Sequence, residues 1–319
     1  MKAPAFWYAP AGWQAMALRP LEALWRIGAA RRQSRGQEQQ VAVPVICVGN
    51  LTVGGTGKSP TVIALIAALQ ARGIEPHVLS RGYGGTEIGP LRVTEDMSAE
   101  RVGDEPLMLS AFAPVWVSRD RVVGARAAVA AGAQAVILDD GFQDPALAKD
   151  LSILVVDTQT GFGNGRVLPA GPLREPVSDG LARADLVLAI GGGDVPDTAG
   201  VPVVTGRIAP LATGMPWRGL RVVAFAGIGR PEKVFATLRE LQVDLVATHA
   251  FGDHEPYAKA VLNRLLHEAQ SENARLVTTE KDAARLPDWF RRHILPLPVR
   301  LELTDSAALN AALDQLLSS

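Results

Sequence analysis

Short, mostly apolar runs alternate along this chain with longer stretches in which apolar residues recur at helical spacing. Residues 41–48, 75–80, 114–118, 135–138, 151–156 and 184–190 are of the first kind. Residues 61–72 and 121–131 are of the second; the first is rich in Ala, Leu and Ile, and the other in Ala and Val. A strand apolar on both faces belongs inside a sheet covered on both sides, and strand–helix alternation of this kind predicts a mainly parallel α/β sheet. Pro210, Gly214, Pro216 and Gly219 then interrupt the rhythm. It restarts with a strand at 221–226, a helix at 231–241 and a strand at 276–279. Three parts are therefore expected: an N-terminal amphipathic segment at 1–36, a main sheet domain at 37–212 and a smaller C-terminal α/β domain at 213–319.

Ligands of parallel sheets bind beyond the carboxyl ends of the strands. The polar signals of this chain collect at those ends. The first apolar strand runs into Gly54-Gly55-Thr56-Gly57-Lys58-Ser59, and a helical pattern follows. Strand, Gly-rich turn, Lys-Ser, helix is the order of a phosphate-binding P-loop, so a P-loop NTPase-like sheet is expected. Glycines let the backbone turn its N–H groups inward, and the helix N-terminus adds partial positive charge. Residues 52–59 (Thr52, Val53, Gly54, Gly55, Thr56, Gly57, Lys58 and Ser59) form the candidate nucleotide cradle. Lys58 would reach the phosphates and the Ser59 hydroxyl would hold Mg²⁺. Thr52 stands where the common pattern has glycine, and Val53 stands where a doubled-glycine variant carries a second lysine.

Asp139 ends the apolar run 135–138, in the place of the carboxylate that holds Mg²⁺ in P-loop enzymes. Asp140 beside it adds a second negative charge, whose repulsion a cation would relieve, although an aspartate here can also cap the following turn. Gly103-Asp104-Glu105-Pro106 opens a helix. Asp104 and Glu105 are read either as a helix start or as a base and a metal carboxylate. His254, in the polar loop Phe251-Gly252-Asp253-His254-Glu255-Pro256-Tyr257, could orient a carboxylate. Arg119, Arg121 and Arg174 are candidate phosphate cations, with Arg121 placed on the transferring phosphoryl group.

The N-terminus changes the picture further. Phe6, Trp7, Tyr8, Trp13, Met16, Leu18, Leu21, Leu24 and Trp25 crowd into one short stretch ahead of Arg31, Arg32 and Arg35. Arg19, Glu22 and Arg26 break it too often for a bilayer-spanning helix. On a helical wheel they share one face, opposite Trp13, Ala17, Leu21, Leu24 and Trp25. That pattern suits the membrane interface, with packing on the domain core as the alternative. A net charge of −1 argues against a general nucleic-acid binder. The single cysteine, Cys47, excludes an intrachain disulfide and a cysteine metal cluster.

These segments, together with Ser80-Arg81-Gly82-Tyr83-Gly84, Leu138-Asp139-Asp140-Gly141-Phe142-Gln143, residues 169–175 and Thr279-Glu280-Lys281-Asp282, resemble the tetraacyldisaccharide 4′-kinase family, the lipid A 4′-kinases of Gram-negative bacteria. The resemblance covers nearly the whole chain. It implies ATP- and Mg²⁺-dependent phosphorylation of the 4′-hydroxyl of a tetraacyl glucosamine disaccharide 1-phosphate. It also implies a peripheral enzyme, monomeric in our reading, on the cytoplasmic face of the inner membrane, with two domains that close around the nucleotide. Carried onto this sequence, Lys58 and Ser59 would bind phosphate and Mg²⁺, and Asp139 would be the metal ligand. Glu105 and Asp140 would lie in the metal or substrate shell, and Asp104 would be the base, supported by His254. Two other readings stay open on sequence alone: a regulatory or metallochaperone GTPase, and a membrane-bound scaffold that only binds nucleotide. Thr279-Glu280-Lys281-Asp282 lacks the Asn-Lys-x-Asp spacing of guanine readers, and no Cys/His metal-transfer motif is present.

Overall fold

The computed structural model describes residues 3–318, apart from the side chain of Arg35; Met1, Lys2 and Ser319, which the expected spans 1–36 and 213–319 include, lie outside it. Thirteen strands are described: β1 (Val45–Gly49), β2 (Pro76–Ser80), β3 (Leu91–Arg92), β4 (Val115–Val117), β5 (Ala135–Asp139), β6 (Leu151–Asp157), β7 (Leu186–Ile190), β8 (Val203–Pro210), β9 (Arg221–Ala226), β10 (Asp244–Ala250), β11 (Arg275–Thr279), β12 (Ile294–Leu297) and β13 (Val299–Leu303). They form two sheets. The larger has the order β13-β8-β7-β6-β1-β5-β2-β4-β3, and the smaller has the order β10-β9-β11-β12. Only the two edge pairs, β13 with β8 and β3 with β4, are antiparallel.

Every residue of β1, β5 and β6 is buried, as their mainly apolar sequences favour. Ile46 and Val48 face a core that also holds Val62, Ile66 and Leu69 of the helix Lys58–Gln70. Val45 and Cys47 face the opposite core, with Val122, Ala125 and Ala128 of the helix Arg121–Ala130. The smaller sheet repeats this alternation: Val222 and Ala224 pack to one side, and Val223 and Phe225 to the other.

The C-terminal boundary differs from the expected one. The smaller unit ends at β12. The chain then returns through Pro298 to pair β13 with β8, and the following helix buries Leu309 and Leu313 in the main core. Residues 299–318 therefore belong to the larger sheet, not to a separate C-terminal domain at 213–319. Arg300 and Glu302 alternate with the apolar residues of β13, as befits a half-exposed edge strand.

The N-terminal segment forms the helices Trp13–Ala17 and Arg19–Arg35. Of the expected charged face, Glu22 is turned inward, whereas Arg19 and Arg26 are exposed. Glu22 is 7% exposed and accepts the Val167 N–H at 3.1 Å, whereas Trp13 is 75% and Leu24 65% exposed. Trp7 Nε1 donates to the Pro169 carbonyl and Trp25 Nε1 to the Arg174 carbonyl, so the segment sits on the loop that ends at Arg174 and Glu175. Among the described residues no helix is long and apolar enough to cross a membrane.

Candidate active site

The ends of β1, β5 and β2 lie side by side, and the loops that leave them form one wall of a cleft of about 3130 Å³. After β1 the backbone takes positive φ at Gly54 (106°) and Gly57 (101°). At Gly57 a side chain is excluded twice over, because a Cβ would also lie 2.7 Å from Ile190 Cδ1. The helix then starts at Lys58. Asn50, which sequence reasoning passed over, organises this turn. Its amide donates to the Thr52 carbonyl at 2.8 Å, and its oxygen accepts from Lys58 Nζ at 3.2 Å. Lys58 Nζ also lies 3.8 Å from Asp140 Oδ1.

Asp139 is 2% exposed. One carboxylate oxygen accepts from the Ser80 hydroxyl at 3.2 Å, and the other, Oδ1, is buried with no partner. Burial, then the charges of Glu105 and Asp140, push its carboxyl up to about 7 against the pull of Lys58 and Arg121. Asp140 follows at φ 52°, a left-handed conformation that aspartate tolerates. Burial pushes its carboxyl up, but Lys58 and Arg174 outweigh this and hold it below the ordinary carboxylate range. Arg174 reaches Asp140 Oδ1 at 2.8 Å and Gln143 Oε1 at 3.2 Å.

The helix Asp104–Leu109 brings Glu105 to the same cleft, with Asp104 buried beside it. Glu105 Oε1 accepts from the Ser59 hydroxyl at 3.1 Å. Asp104 Oδ1 accepts its neighbour's N–H, while Oδ2 lies 3.0 Å from His254 Nδ1 of the smaller unit. That contact is close but poorly aligned, so the buried Oδ2 keeps lone pairs without a well-formed hydrogen bond. Burial raises the Asp104 carboxyl, yet the His254 contact and the charges of Lys281, His254 and Arg285 bring it below its ordinary range. The Tyr83 ring packs edge-on against His254, with centroids 5.4 Å apart. From the smaller unit, the loop at Gly229 also closes on the P-loop: a Cβ there would lie 3.3 Å from Gly55 N.

The structure thus brings Lys58, Ser59, Glu105, Asp139, Asp140 and His254 to one cleft, with Asp104 buried beside His254. Arg121, assigned to the phosphoryl group, also lines this cleft, but its guanidinium is engaged by the backbone. It is 1% exposed, and its guanidinium donates to the backbone carbonyls of Leu79, Asp139 and Asp140. Arg121 ties the ends of β2 and β5 together through these carbonyls; Arg174 is a second arginine of the cleft, held on Asp140. The sequence offered Arg174 as one loop arginine among several. What singles it out is its approach to Asp140 across 34 residues of chain.

The donor set fits Mg²⁺ bound with a nucleotide. Among the described residues no three His, Cys, Asp or Glu side chains converge as a metal cage. Mg²⁺ needs none, because it takes one or two protein ligands and completes its shell with phosphate and water. The partnerless Asp139 Oδ1 and the Ser59–Glu105 pair would supply such ligands.

Comparison with known proteins agrees with this geometry. The family described as tetraacyldisaccharide-1-P 4′-kinase (LpxK) matches residues 14–318. Proteins named tetraacyldisaccharide 4′-kinase from Dinoroseobacter shibae and Jannaschia sp. are 57% and 55% identical, over 99% of this chain and 98% and 99% of theirs. The crystal structure of LpxK from Aquifex aeolicus in complex with ATP superposes with a TM-score of 0.79 at 26% identity, covering 95% of this chain and 99% of that one. A family match of that extent, relatives of full length and a shared fold place this chain in the tetraacyldisaccharide 4′-kinase family.

Proposed function

We propose that this chain transfers the γ-phosphoryl group of ATP to the 4′-hydroxyl of a tetraacyl glucosamine disaccharide 1-phosphate, the precursor of lipid A. The family match and the ATP complex of its structural neighbour support the reaction and the donor. The observation that carries the mechanism is the meeting of Asp104 and His254, from the two units, beside the P-loop. In this reading Lys58 and the 54–57 backbone hold the phosphates, with Asn50 and Asp140 fixing the lysine. Ser59, Asp139 and Glu105 would hold Mg²⁺, whose charge would offset that of the phosphoryl oxygens. Asp104 Oδ2 accepts the proton of the 4′-hydroxyl as its oxygen bonds to phosphorus, and ADP leaves with the electrons of the broken P–O bond. His254 orients Asp104, and Arg174 supplies positive charge on the far side of Asp140.

A substrate with four acyl chains stays in the bilayer, so the enzyme must come to it. We assign that task to the outward apolar face of Trp13, Met16, Leu21 and Leu24, seated as a monomer on the cytoplasmic side of the inner membrane. Residues 210–216, between the two sheets, would act as the hinge of the closing cleft. The test is transfer of label from γ-labelled ATP to a tetraacyl disaccharide 1-phosphate in detergent micelles, with Lys58→Ala as control. Labelled lipid with wild type alone is expected. ATP consumption without labelled lipid would overturn the acceptor assignment.

A further inference from the structure

Lys281 has no part in the scheme above, yet it lies at its centre. It belongs to Thr279-Glu280-Lys281-Asp282, where β11 turns into the helix Glu280–Ala284 of the smaller unit. The turn is built rigidly. Thr279 Oγ1 caps the helix by accepting the Asp282 N–H, and the buried Asp282 carboxylate accepts from Gly227 N and the Tyr257 hydroxyl. Glu280 crosses to the larger sheet and pairs with Arg300 of β13 at 2.7 Å. Lys281 crosses beside it. Its ammonium lies 3.3 Å from Glu105 Oε1 and 3.8 Å from Asp104 Oδ2 of the larger unit. It also lies 3.8 Å from Asp253 Oδ1 and 3.3 Å from His254 Nε2 of its own unit.

Two consequences follow from the chemistry of an ammonium. It can only donate, so its contact with His254 makes Nε2 the acceptor and leaves the ring proton on Nδ1, the nitrogen facing Asp104. It is also a half-buried cation among three carboxylates that would otherwise repel one another. Two of these, Asp104 and Glu105, are the proposed base and a proposed metal ligand.

We propose that Lys281 is a positioning residue of the phosphoryl-transfer site, a cation carried across the cleft that sets the His254–Asp104 pair and neutralises its carboxylates until Mg²⁺ and nucleotide enter. The inference rests on the kinase reading and deepens it. Removing the ammonium should misplace the base and leave a carboxylate cluster open to free cations. In Lys281→Met, kcat for lipid phosphorylation falls by about 10²-fold, with the KM for ATP changed by less than about threefold. Without nucleotide, millimolar Mg²⁺ raises the melting temperature of this variant by about 2 °C or more and leaves that of wild type nearly unchanged. Lys281→Arg, which keeps a charge that only donates, stays insensitive to Mg²⁺ and recovers part of kcat.

A Lys281→Met enzyme with wild-type kcat would overturn the proposal. So would a loss of kcat without the gain in Mg²⁺ stabilisation, which is what a merely structural lysine would give. If Lys281→Met does not fold, Lys281→Gln keeps a donor without the charge and is read by the same two measurements. The melting readout needs no acceptor lipid. A wild type inactive on the disaccharide therefore sinks the kinase reading, while the metal-free site is still judged by melting.

Discussion

Replacing Asp104 by Asn tests the catalytic reading most directly. The substitution keeps the side-chain oxygen that accepts the Glu105 N–H, so the start of the helix Asp104–Leu109 is preserved. It removes the charge and the basic lone pairs of Oδ2, which lies 3.0 Å from His254 Nδ1 with no well-aligned donor. A general base contributes about 10²–10⁴-fold in rate, or about 2.7–5.4 kcal/mol at 1.36 kcal/mol per decade. The structure points to the lower half of that range. The His254 contact and the nearby cations hold the Asp104 carboxyl below its ordinary range, so it is ionised at neutral pH but a weaker base than one poised near 7. We therefore expect kcat to fall about 10²–10³-fold in Asp104→Asn. ATP affinity, measured at equilibrium without acceptor, should change by less than about threefold, because Asp104 meets the P-loop only through its neighbour's contact with Ser59. A collapse of ATP affinity with normal turnover at saturation would refute the reasoning and make Asp104 part of the nucleotide site.

Three further outcomes are expected. Arg121→Met strips donors from three backbone carbonyls and should lower the unfolding free energy by about 3 kcal/mol or more; a variant that melts like wild type but loses turnover would restore Arg121 to the chemistry. Trp13→Ser and Leu24→Ser each remove one large apolar side chain from the outward face, and each should weaken sedimentation with anionic vesicles roughly 10- to 100-fold, from about 1.5–3 kcal/mol of lost burial. Unchanged vesicle binding in both would refute the membrane seat. The carboxyl of Asp139 lies at about 7, above the 3.8 of a free aspartate. The folded protein then holds a proton that the unfolded chain has released, and this contribution to stability falls as pH rises through that window. Without metal or nucleotide, wild type should lose stability relative to Asp139→Asn between those two pH values in urea titrations. A difference that does not vary with pH would contradict the shift.

The main sheet was legible because its strands are buried on both faces and stand out as apolar runs ended by Gly, Asp or Arg. β1, β5, β6 and β7 lie within a few residues of their expected bounds. β13 was missed because Val299-Arg300-Leu301-Glu302-Leu303 alternates, as a half-exposed edge strand does, and only its pairing with β8 reveals that the chain returns. The carboxylates of the site could be read from their places at strand and helix ends. Arg121 could not, since one residue past the Asp120 cap its side chain points either at solvent or inward, and helix phase alone decides. Asn50 carried no local signal either, and Lys281 stood in a motif that the resemblance named without giving it a role. Each matters through residues distant in sequence or across the cleft.

The N-terminal helix illustrates why a wheel diagram gives the faces of a helix but not their destinations. Its pattern suited the membrane interface, with packing on the domain core as the alternative. In the fold only Glu22 of the charged face docks, because Val167 needs an acceptor for its N–H and Glu22 supplies one in a place that water does not reach, while Arg19 and Arg26 stay exposed. The apolar face is then left outward, which is unfavourable in water and favourable against lipid. The docking loop does not end at the helix. Trp25 holds the carbonyl of Arg174, while the N–H of the same residue donates to the Leu51 carbonyl beside the P-loop and its guanidinium holds Asp140. Two residues earlier in that loop, Pro172 accepts the Val53 N–H of the cradle. The surface proposed to meet the bilayer and the loop proposed to hold the phosphates are therefore separated by a single layer of backbone hydrogen bonds. A short path of this kind suits an enzyme whose acceptor sugar lies just outside the lipid that anchors it.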